Sequence, residues 1–115
     1  MNTLEVSEKR HAKRVDFKEP IGFQFKDPTQ FGGCLGCDLS ESGLRVNFSD
    51  FVPLGTELLI QLTLAGKRVV ERMGKVVWVQ KFPFMDRYQV GLQFLNDRPI
   101  SGSQQEIKNF VELSK

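Results

Sequence analysis

Residues 34–48 read CLGCDLSESGLRVNF. Up to Ser40 the stretch alternates in the manner of a β-strand, and after Ser42 and Gly43 the alternation resumes in a second strand. Asp38 and Ser40 therefore point to the same face, next to the break between the two strands. The stretch predicts a β structure that presents two polar side chains beside a turn.

Strand-like alternation recurs along the rest of the chain, and turn residues separate the runs. The apolar residues of three such runs are Ile21, Phe23 and Phe25; Leu58, Ile60, Leu62 and Leu64; and Tyr88, Val90, Leu92 and Phe94. A longer run at residues 67–81 changes phase near Gly74, and we predict a β-bulge at that glycine. Each run has the length of a half-buried strand.

The fold class that these patterns predict is all-β with one C-terminal helix. Ser103 and Glu106 have the spacing of a capping box, and an apolar stripe at helical spacing follows them, so the helix is expected at about 103–114. Six alternating strands with short connections predict a six-stranded antiparallel β-barrel. The helix is expected to cover an open end or a seam of this barrel.

The length of 115 residues and the hydrophobic content of 40% fit a single domain. Residues 1–15 are charged and poor in apolar groups, so we predict a flexible N-terminal arm followed by a barrel domain at 16–115. The net charge of +2 is too small to mark the whole surface as a polyanion binder. Four of the sixteen basic residues, however, lie between residues 9 and 14.

Several functional classes are not expected for this composition. No apolar run of signal-peptide length opens the chain, and no segment reaches the roughly 20 apolar residues of a membrane helix, so we expect a cytoplasmic protein without membrane contact. Cys34 and Cys37 form a C-x-x-C, but an odd spacing on a strand sends the two thiols to opposite faces, and His11 is the single histidine. We therefore expect no metal, no cofactor and no enzymatic activity.

An R-x-x-x-R pair lies in the arm, at Arg10 and Arg14. Arg68 and Arg72 repeat this spacing inside a predicted strand, where both are expected on one exposed face, so the spacing alone is uninformative. The arm pair gains meaning from residues 38–43, DLSESG, which form a D-x-S-x-x-G at the junction of a strand and a turn.

This ordered pair of motifs resembles the signature of the PilZ domain family, an R-x-x-x-R arm followed by [D/N]-x-S-x-x-G on a barrel. The resemblance extends from about Lys9 to the C-terminal helix and includes GLRV at 43–46 and YQVGLQF at 88–94. It implies a six-stranded antiparallel barrel that binds the bacterial second messenger cyclic di-GMP. The ligand-binding residues that it implies are Arg10, Arg14, Asp38, Ser40 and Gly43.

The implied residues suit the chemistry of cyclic di-GMP, which carries two phosphates and guanine bases. Arg10 and Arg14 offer guanidinium forks both to phosphate and to the O6 and N7 edge of guanine. Asp38 can accept the N1–H and N2–H of guanine, and Ser40 can donate to a phosphate or a base. Gly43 permits a positive φ or a close approach of the ligand.

Four further residues are second-rank candidates. Lys9 and Lys13 flank the arginines and can reach phosphates, although lysines in an arm are usually solvated. Gly91 is expected on the polar face, where it either leaves room for a planar base or serves a bulge or a twist. Trp78 either stacks on a guanine or fills the core or an end of the barrel.

The leading hypothesis is a receptor without enzymatic activity, in which cyclic di-GMP orders the arm over the barrel. The ordered arm would then present a surface to a downstream protein effector, of motility, secretion or polysaccharide machinery as in similar proteins. One alternative is a small barrel for single-stranded nucleic acid, which requires several exposed aromatic side chains on one face, whereas most of the ten phenylalanines are expected inward or in loops. The other is a PilZ-type protein-interaction module that has lost its ligand.

Overall fold

The computed structural model describes residues 13–26, 29–64, 68–95 and 103–114. These ranges contain seven strands and one helix, in the order β1 (Val15–Asp16), β2 (Pro20–Lys26), β3 (Thr29–Leu39), β4 (Gly43–Phe48), β5 (Glu57–Leu64), β6 (Arg68–Lys81), β7 (Tyr88–Phe94) and α1 (Ser103–Leu113). Within the same ranges, no helix has the length and apolar character needed to cross a bilayer.

The sheet closes on itself as a barrel. Its strands follow one another in the order β3-β2-β5-β6-β7-β4, each neighbouring pair is antiparallel, and β4 returns to pair with β3. β1 adds a short further strand on β3, in which Val15 lies opposite Leu39 and Asp16 lies opposite Asp38. The predicted six-stranded antiparallel barrel with one C-terminal helix is confirmed, with β1 as an addition to it.

The first described residues lie against the barrel. Val15 and Phe17 are buried, and the backbone N–H of Phe17 donates to the carbonyl oxygen of Cys37 at 3.0 Å. The chain therefore joins the barrel at Val15, one residue before the expected start of the barrel domain. Residues 1–12 of the arm lie outside the described part of the chain.

The alternation that predicted the strands also builds the core. In β5 the side chains of Leu58, Ile60, Leu62 and Leu64 are buried, and the residues between them are more exposed. Burying a side chain of this size contributes about 1.5–3 kcal/mol to folding. In β4 the same alternation turns Arg45 toward the outside of the barrel, where the predicted site lies.

The predicted bulge at Gly74 is wrong. Gly74 pairs regularly with both neighbouring strands, and the register shift of β6 lies instead between Val76 and Trp78. A Cβ at position 74 would lie 2.5 Å from Cδ1 of Ile60, so a larger residue there would displace the Ile60 side chain. The extra residue is Val77, and because of it Trp78 points out of the barrel although Val76 points inward.

Arg72 corrects a second expectation. It was predicted to share an exposed face with Arg68, but it points into the barrel and is only 1% exposed. Its guanidinium lies 4.7 Å from the centre of the Phe94 ring, and Nη2 donates to the carbonyl oxygen of Leu95 at 3.4 Å. Arg68 lies at the end of the barrel and pairs with Glu106 of α1 at 3.1 Å. The prediction for Arg72 was wrong because β6 carries apolar residues on both faces. Its sequence pattern therefore does not show which face lies inside the barrel.

Helix α1 covers the end of the barrel at which β5 ends and β6 begins. Its residues Ile107 and Val111 are buried, and the ring of Phe110 packs edge to face against that of Phe17, with ring centres 5.7 Å apart. The Ser103 side chain of the predicted capping box lies outside the described part. Covering this end of the barrel is the role that was predicted for the helix.

Candidate functional site

Two strand pairings assemble the polar residues that the sequence singled out. The pairing of β1 with β3 brings Arg14, which directly precedes β1, next to Asp38. The register of the β3–β4 hairpin places Arg45 opposite Asp38. A bulge in β3 at Cys37 lies immediately before Asp38, and bulges commonly redirect a neighbouring side chain. Asp38 of β3 is thus flanked by arginines from two other segments.

The Asp38 carboxylate binds a different arginine with each oxygen. Arg14 Nε donates to Oδ1 at 2.8 Å, and Arg45 donates to Oδ2 from Nε at 2.8 Å and from Nη2. Burial acts to raise the pKa of Asp38, but hydrogen bonds and charges from Arg45 and Arg14 outweigh it, so the pKa lies below its ordinary value. Its hydrogen bond to Asp38 raises the pKa of Arg45 in turn. The carboxylate is therefore ionised and held in one orientation at neutral pH.

Ser40 shapes the turn between β3 and β4. Its side chain is fully buried, and Oγ accepts the backbone N–H groups of Ser42 at 3.2 Å and Gly43 at 3.1 Å. The backbone N–H of Ser40 donates to the carbonyl oxygen of Gly43 at 2.9 Å. Arg14 Nη1 also reaches Ser40 Oγ, at 3.4 Å. The hydroxyl is therefore engaged by protein groups, and a direct contact of Ser40 with a ligand stays a prediction.

Gly43 is required by the approach of another strand. Of the glycines in the described ranges, only Gly55 has a positive φ, so of the two reasons considered for Gly43, a positive φ or a close approach of the ligand, the first is excluded. A Cβ at Gly43 would instead lie 2.4 Å from the carbonyl oxygen of Leu92 on β7. The close packing of β4 on β7 excludes any side chain at this position.

Trp78 and Gly91 form one unit on the outer surface of the barrel. They lie opposite each other in the β6–β7 register, and a Cβ at Gly91 would lie 2.3 Å from the indole Nε1. The indole therefore lies flat over the glycine, and 37% of Trp78 is exposed. The predicted roles of Trp78 as core or end plug are excluded by this position. The space that Gly91 leaves is occupied by the indole.

A cavity of about 240 Å³ lies beside these groups. Residues of the turn after Ser40, the Trp78–Gly91 unit and Arg14 all line it. Its lining consists of Arg14, Ser42, Gly43, Leu44, Val77, Trp78, Gly91, Leu92 and Gln93. One open cavity thus brings together residues of the arm, of the D-x-S-x-x-G motif and of the second-rank set.

The lysines and the first arginine of the arm are not part of this described arrangement. Lys13 Nζ donates to the carbonyl oxygen of Ser114 at 2.8 Å, at the C-terminal end of α1, where a cation is favoured. Lys9 and Arg10 lie outside the described residues. Their predicted contacts with a ligand stay predictions.

The two cysteines lie on different sides of β3. Cys34 packs against the core, and burial, together with the nearby Cys37, raises the pKa of its thiol to about 12. Cys37 Sγ accepts a hydrogen bond from Gln89 Nε2 at 3.7 Å. Both are free thiols, and within the described ranges no three His, Cys, Asp or Glu side chains come together as a metal site. Because it stays protonated, Cys34 is a poor nucleophile.

Arg45 is the site residue that the sequence reasoning missed. The signal was available, because the hairpin pairs Leu39 with Leu44, and the next pair outward in the same register is Asp38 with Arg45. Arg45 lies two residues beyond Gly43, the last position of the D-x-S-x-x-G motif, and was not among the candidates. Extending the hairpin register by one pair would have found it.

Comparison with solved structures supports the fold. The inhibitor of motility MotI/DgrA of Bacillus subtilis superposes with a TM-score of 0.69 at 17% identity, over 90% of this chain and 49% of that one. The PilZ domain of YcgR from Escherichia coli with c-di-GMP gives 0.66 at 14%, over 90% and 89%. The PilZ domain of CeSA from a cellulose-synthesizing bacterium gives 0.63 at 15%, over 86% and 94%. The chain therefore spans about half of MotI/DgrA and most of the two isolated domains.

Two sequence comparisons, with curated proteins and with models of protein families, give different results. No curated protein matches it. The family model of the PilZ domain, however, matches residues 8–113, a range that contains the arm arginines, the turn after Ser40 and every strand of the barrel. Because this match spans nearly the whole chain, the chain belongs to the PilZ domain family.

Proposed function

We propose that this chain is a non-enzymatic receptor for cyclic di-GMP. The observation that carries the proposal is the cavity in which Arg14, Gly43 and Trp78 meet, beside the ionised carboxylate of Asp38. Arg14 belongs to the R-x-x-x-R motif of the family, and Asp38 and Gly43 belong to its D-x-S-x-x-G motif. The PilZ domain of YcgR, a structural neighbour, was solved with c-di-GMP.

The charges of the site match those of the ligand. The Arg14 side chain is 42% exposed, so its guanidinium can turn from Asp38 to a phosphate and form a charge-assisted hydrogen bond there. The Oδ1 atom that it leaves can accept the N1–H and N2–H of a guanine. Ser40 contributes by holding the turn that carries Ser42 and Gly43 to the cavity wall.

Trp78 provides a flat surface for a base. The indole lies outside the barrel, is partly exposed and lines the cavity next to Arg14. Stacking of a base on an aromatic side chain contributes about 1–3 kcal/mol. Gly91 keeps the indole flat against the sheet, so that its outer face is available.

The arm completes the binding site in this proposal. A cavity of about 240 Å³ is smaller than the roughly 300–1,000 Å³ of typical ligand pockets, so a further wall is needed to enclose the nucleotide. Arg10, with Lys9 beside it, is proposed to supply that wall and a second guanidinium. The ligand and the arm together would then form the surface that a downstream protein effector binds.

The nucleic-acid alternative is less well supported. Phe31, Phe51 and Phe84 are exposed, but they do not share one face. Phe51 and Phe84 lie in the β4–β5 and β6–β7 connections, as expected, and Phe31 of β3 is the exception. None of them lines the cavity beside Arg14. A gel-shift assay with single-stranded oligonucleotides at physiological salt serves as the control, and no shift is expected.

Calorimetric titration with cyclic di-GMP tests the proposal. The Arg14→Ala and Arg10→Ala substitutions should each weaken binding by about 1.5–3 kcal/mol, the range for hydrogen bonds to charged groups. Arg87→Ala, which removes an exposed cation from the β6–β7 connection, is the matched control and should bind like the wild type. Absence of wild-type binding at high micromolar ligand, or unchanged binding by Arg14→Ala, would show the proposal to be wrong.

A further inference from the structure

Arg45 is the second cation at Asp38, and it differs from Arg14 in how it is held. It lies in β4, opposite Asp38 on one side and opposite Gly91 of β7 on the other. Its backbone is therefore fixed by two neighbouring strands. Arg14, in contrast, directly precedes the two-residue strand β1 at the edge of the sheet. One cation of the pair is built into the barrel, and the other belongs to the segment that leads into the arm.

The two arginines bind different oxygen atoms of the Asp38 carboxylate. Arg45 donates to Oδ2 from Nε and Nη2, whereas Arg14 donates from Nε to Oδ1. Loss of Arg14 from this arrangement would leave Oδ2 fully bound and would free Oδ1 alone. The freed atom lies on the side from which Arg14 approaches, and Arg14 also lines the cavity.

We propose that Arg45 is a positioning residue for the ligand site, which holds Oδ2 of Asp38 while Arg14 moves to the ligand, so that Oδ1 faces a guanine as an ionised acceptor. This inference rests on the proposed function. It assigns the two arginines different tasks: Arg14 changes partner when the ligand binds, and Arg45 does not.

The burial of Asp38 explains why a second cation is needed. Its side chain is only 10% exposed. A carboxylate that is so well shielded from water takes up a proton readily when it loses its positively charged partners. Burial acts to raise the pKa of Asp38, and the hydrogen bond from Arg45 is the largest of the contributions that lower it. Among the described residues, Arg14, Asp16 opposite Asp38 on β1, and the adjacent Cys37 are further charged or titratable groups near Asp38. Arg45 is thus the cation that can keep Asp38 ionised once Arg14 has left.

The first test uses the free protein and needs no ligand. The pKa of the Asp38 carboxyl is measured by NMR titration in the wild type and in the Arg45→Gln, Arg14→Gln and Arg87→Gln variants. Arg45→Gln should raise this pKa more than Arg14→Gln does, and Arg87→Gln should leave it unchanged. An unchanged pKa in Arg45→Gln, or a larger rise in Arg14→Gln, overturns the inference.

The second test is a double-mutant cycle with cyclic di-GMP, read by calorimetry. Arg45→Gln should weaken binding about tenfold at pH 7.5. The loss should grow toward pH 5.5, because the raised pKa of Asp38 lets the carboxyl take up a proton as the pH falls. In an Asp38→Asn background, Arg45→Gln should have little further effect. An equal loss in that background would mean that Arg45 contacts the ligand itself, and the inference would be wrong.

Two controls keep these outcomes apart. Arg45→Lys retains the charge but not the guanidinium fork, so its binding should lie between those of the wild type and Arg45→Gln, and it serves where Arg45→Gln fails to fold. If the wild type does not bind cyclic di-GMP, the proposed function fails. The Asp38 titration in the free protein still decides whether Arg45 or Arg14 holds the carboxylate.

Discussion

At the residue scale, the polar groups at the end of β3 are already bound to protein groups in the free protein. Asp38 holds two arginines, and the Ser40 hydroxyl holds the turn. A ligand at this site must therefore exchange partners with Arg14, and the net gain per hydrogen bond is modest, about 0.5–1.5 kcal/mol for neutral groups and more for charged ones. The benefit of the arrangement is that the acceptor is ionised and oriented before the ligand arrives.

Sequence reasoning named most of the described site residues but not always their reasons. Arg14 and Asp38 were expected together, and the structure joins them. Gly43 was expected for its own φ or for a ligand, but the close approach of β7 explains it, and that strand is distant in sequence. A reason that depends on a long-range strand pairing cannot be read from the residues next to the glycine.

Arg72 and Arg68 offer a matched pair for a stability measurement. Arg72 fills space inside the barrel over the Phe94 ring, so Arg72→Ala should lower the free energy of unfolding by about 3 kcal/mol through the cavity and the lost cation–π contact. Arg68 is exposed and pairs with Glu106 at the surface, so Arg68→Ala should cost less than about 1 kcal/mol. Urea unfolding measures both, and equal losses would contradict the buried position of Arg72.

At the element scale, two β-bulges lie beside the site. The bulge at Val77 turns Trp78 out of the barrel, and the bulge at Cys37 directly precedes Asp38. Without the first bulge the indole would share the inward face of Val76, and the cavity would lose its flat wall. The irregular positions of β3 and β6 are therefore the ones that shape the candidate site.

The strands themselves could be predicted, whereas their irregularities could not. Regular alternation, as in Leu58 to Leu64, was sufficient to predict β5. In β6 both faces carry apolar residues, so the pattern allowed the bulge to be placed at Gly74 when it lies at Val77. β3 begins at Thr29, five residues before the predicted stretch. The prediction missed this first half because it includes Gly32 and Gly33 and shows no clear alternation.

The β6–β7 connection contains a strained aromatic residue. Phe84 has a φ of 61° and is fully exposed, so its ring gains no packing that would offset the strain. Phe84→Asn should stabilise the protein by about 1 kcal/mol, because asparagine tolerates this conformation better. The midpoint of thermal unfolding should rise by about 4 °C.

Phe31→Asn is the control for this substitution. Phe31 is also an exposed phenylalanine, but it lies in β3 with a negative φ. It should show no stabilisation, since no backbone strain is relieved. An equal rise in both variants would mean that removing an exposed aromatic ring, rather than relieving strain, stabilises the protein.

At the scale of the whole molecule, the segment just before β1 connects the candidate site to the helix. Lys13 binds the carbonyl oxygen of Ser114 at the end of α1, and the next residue, Arg14, binds Asp38. Phe17 continues the contact with the helix through Phe110. The base of the arm thus lies between the site and the helix, and any displacement of Arg14 by a ligand takes place next to α1.

On the proposed function, cyclic di-GMP binds in the cavity that Arg14, Gly43 and the Trp78–Gly91 unit line. The most direct test is an NMR titration of the ¹⁵N-labelled protein with cyclic di-GMP. We expect the largest chemical-shift changes on the Trp78 indole N–H, on Arg14 Nε–H and on the amides of Ser42, Gly43 and Gly91. Absence of shift changes, or changes confined to α1 and the β6–β7 connection, would contradict it.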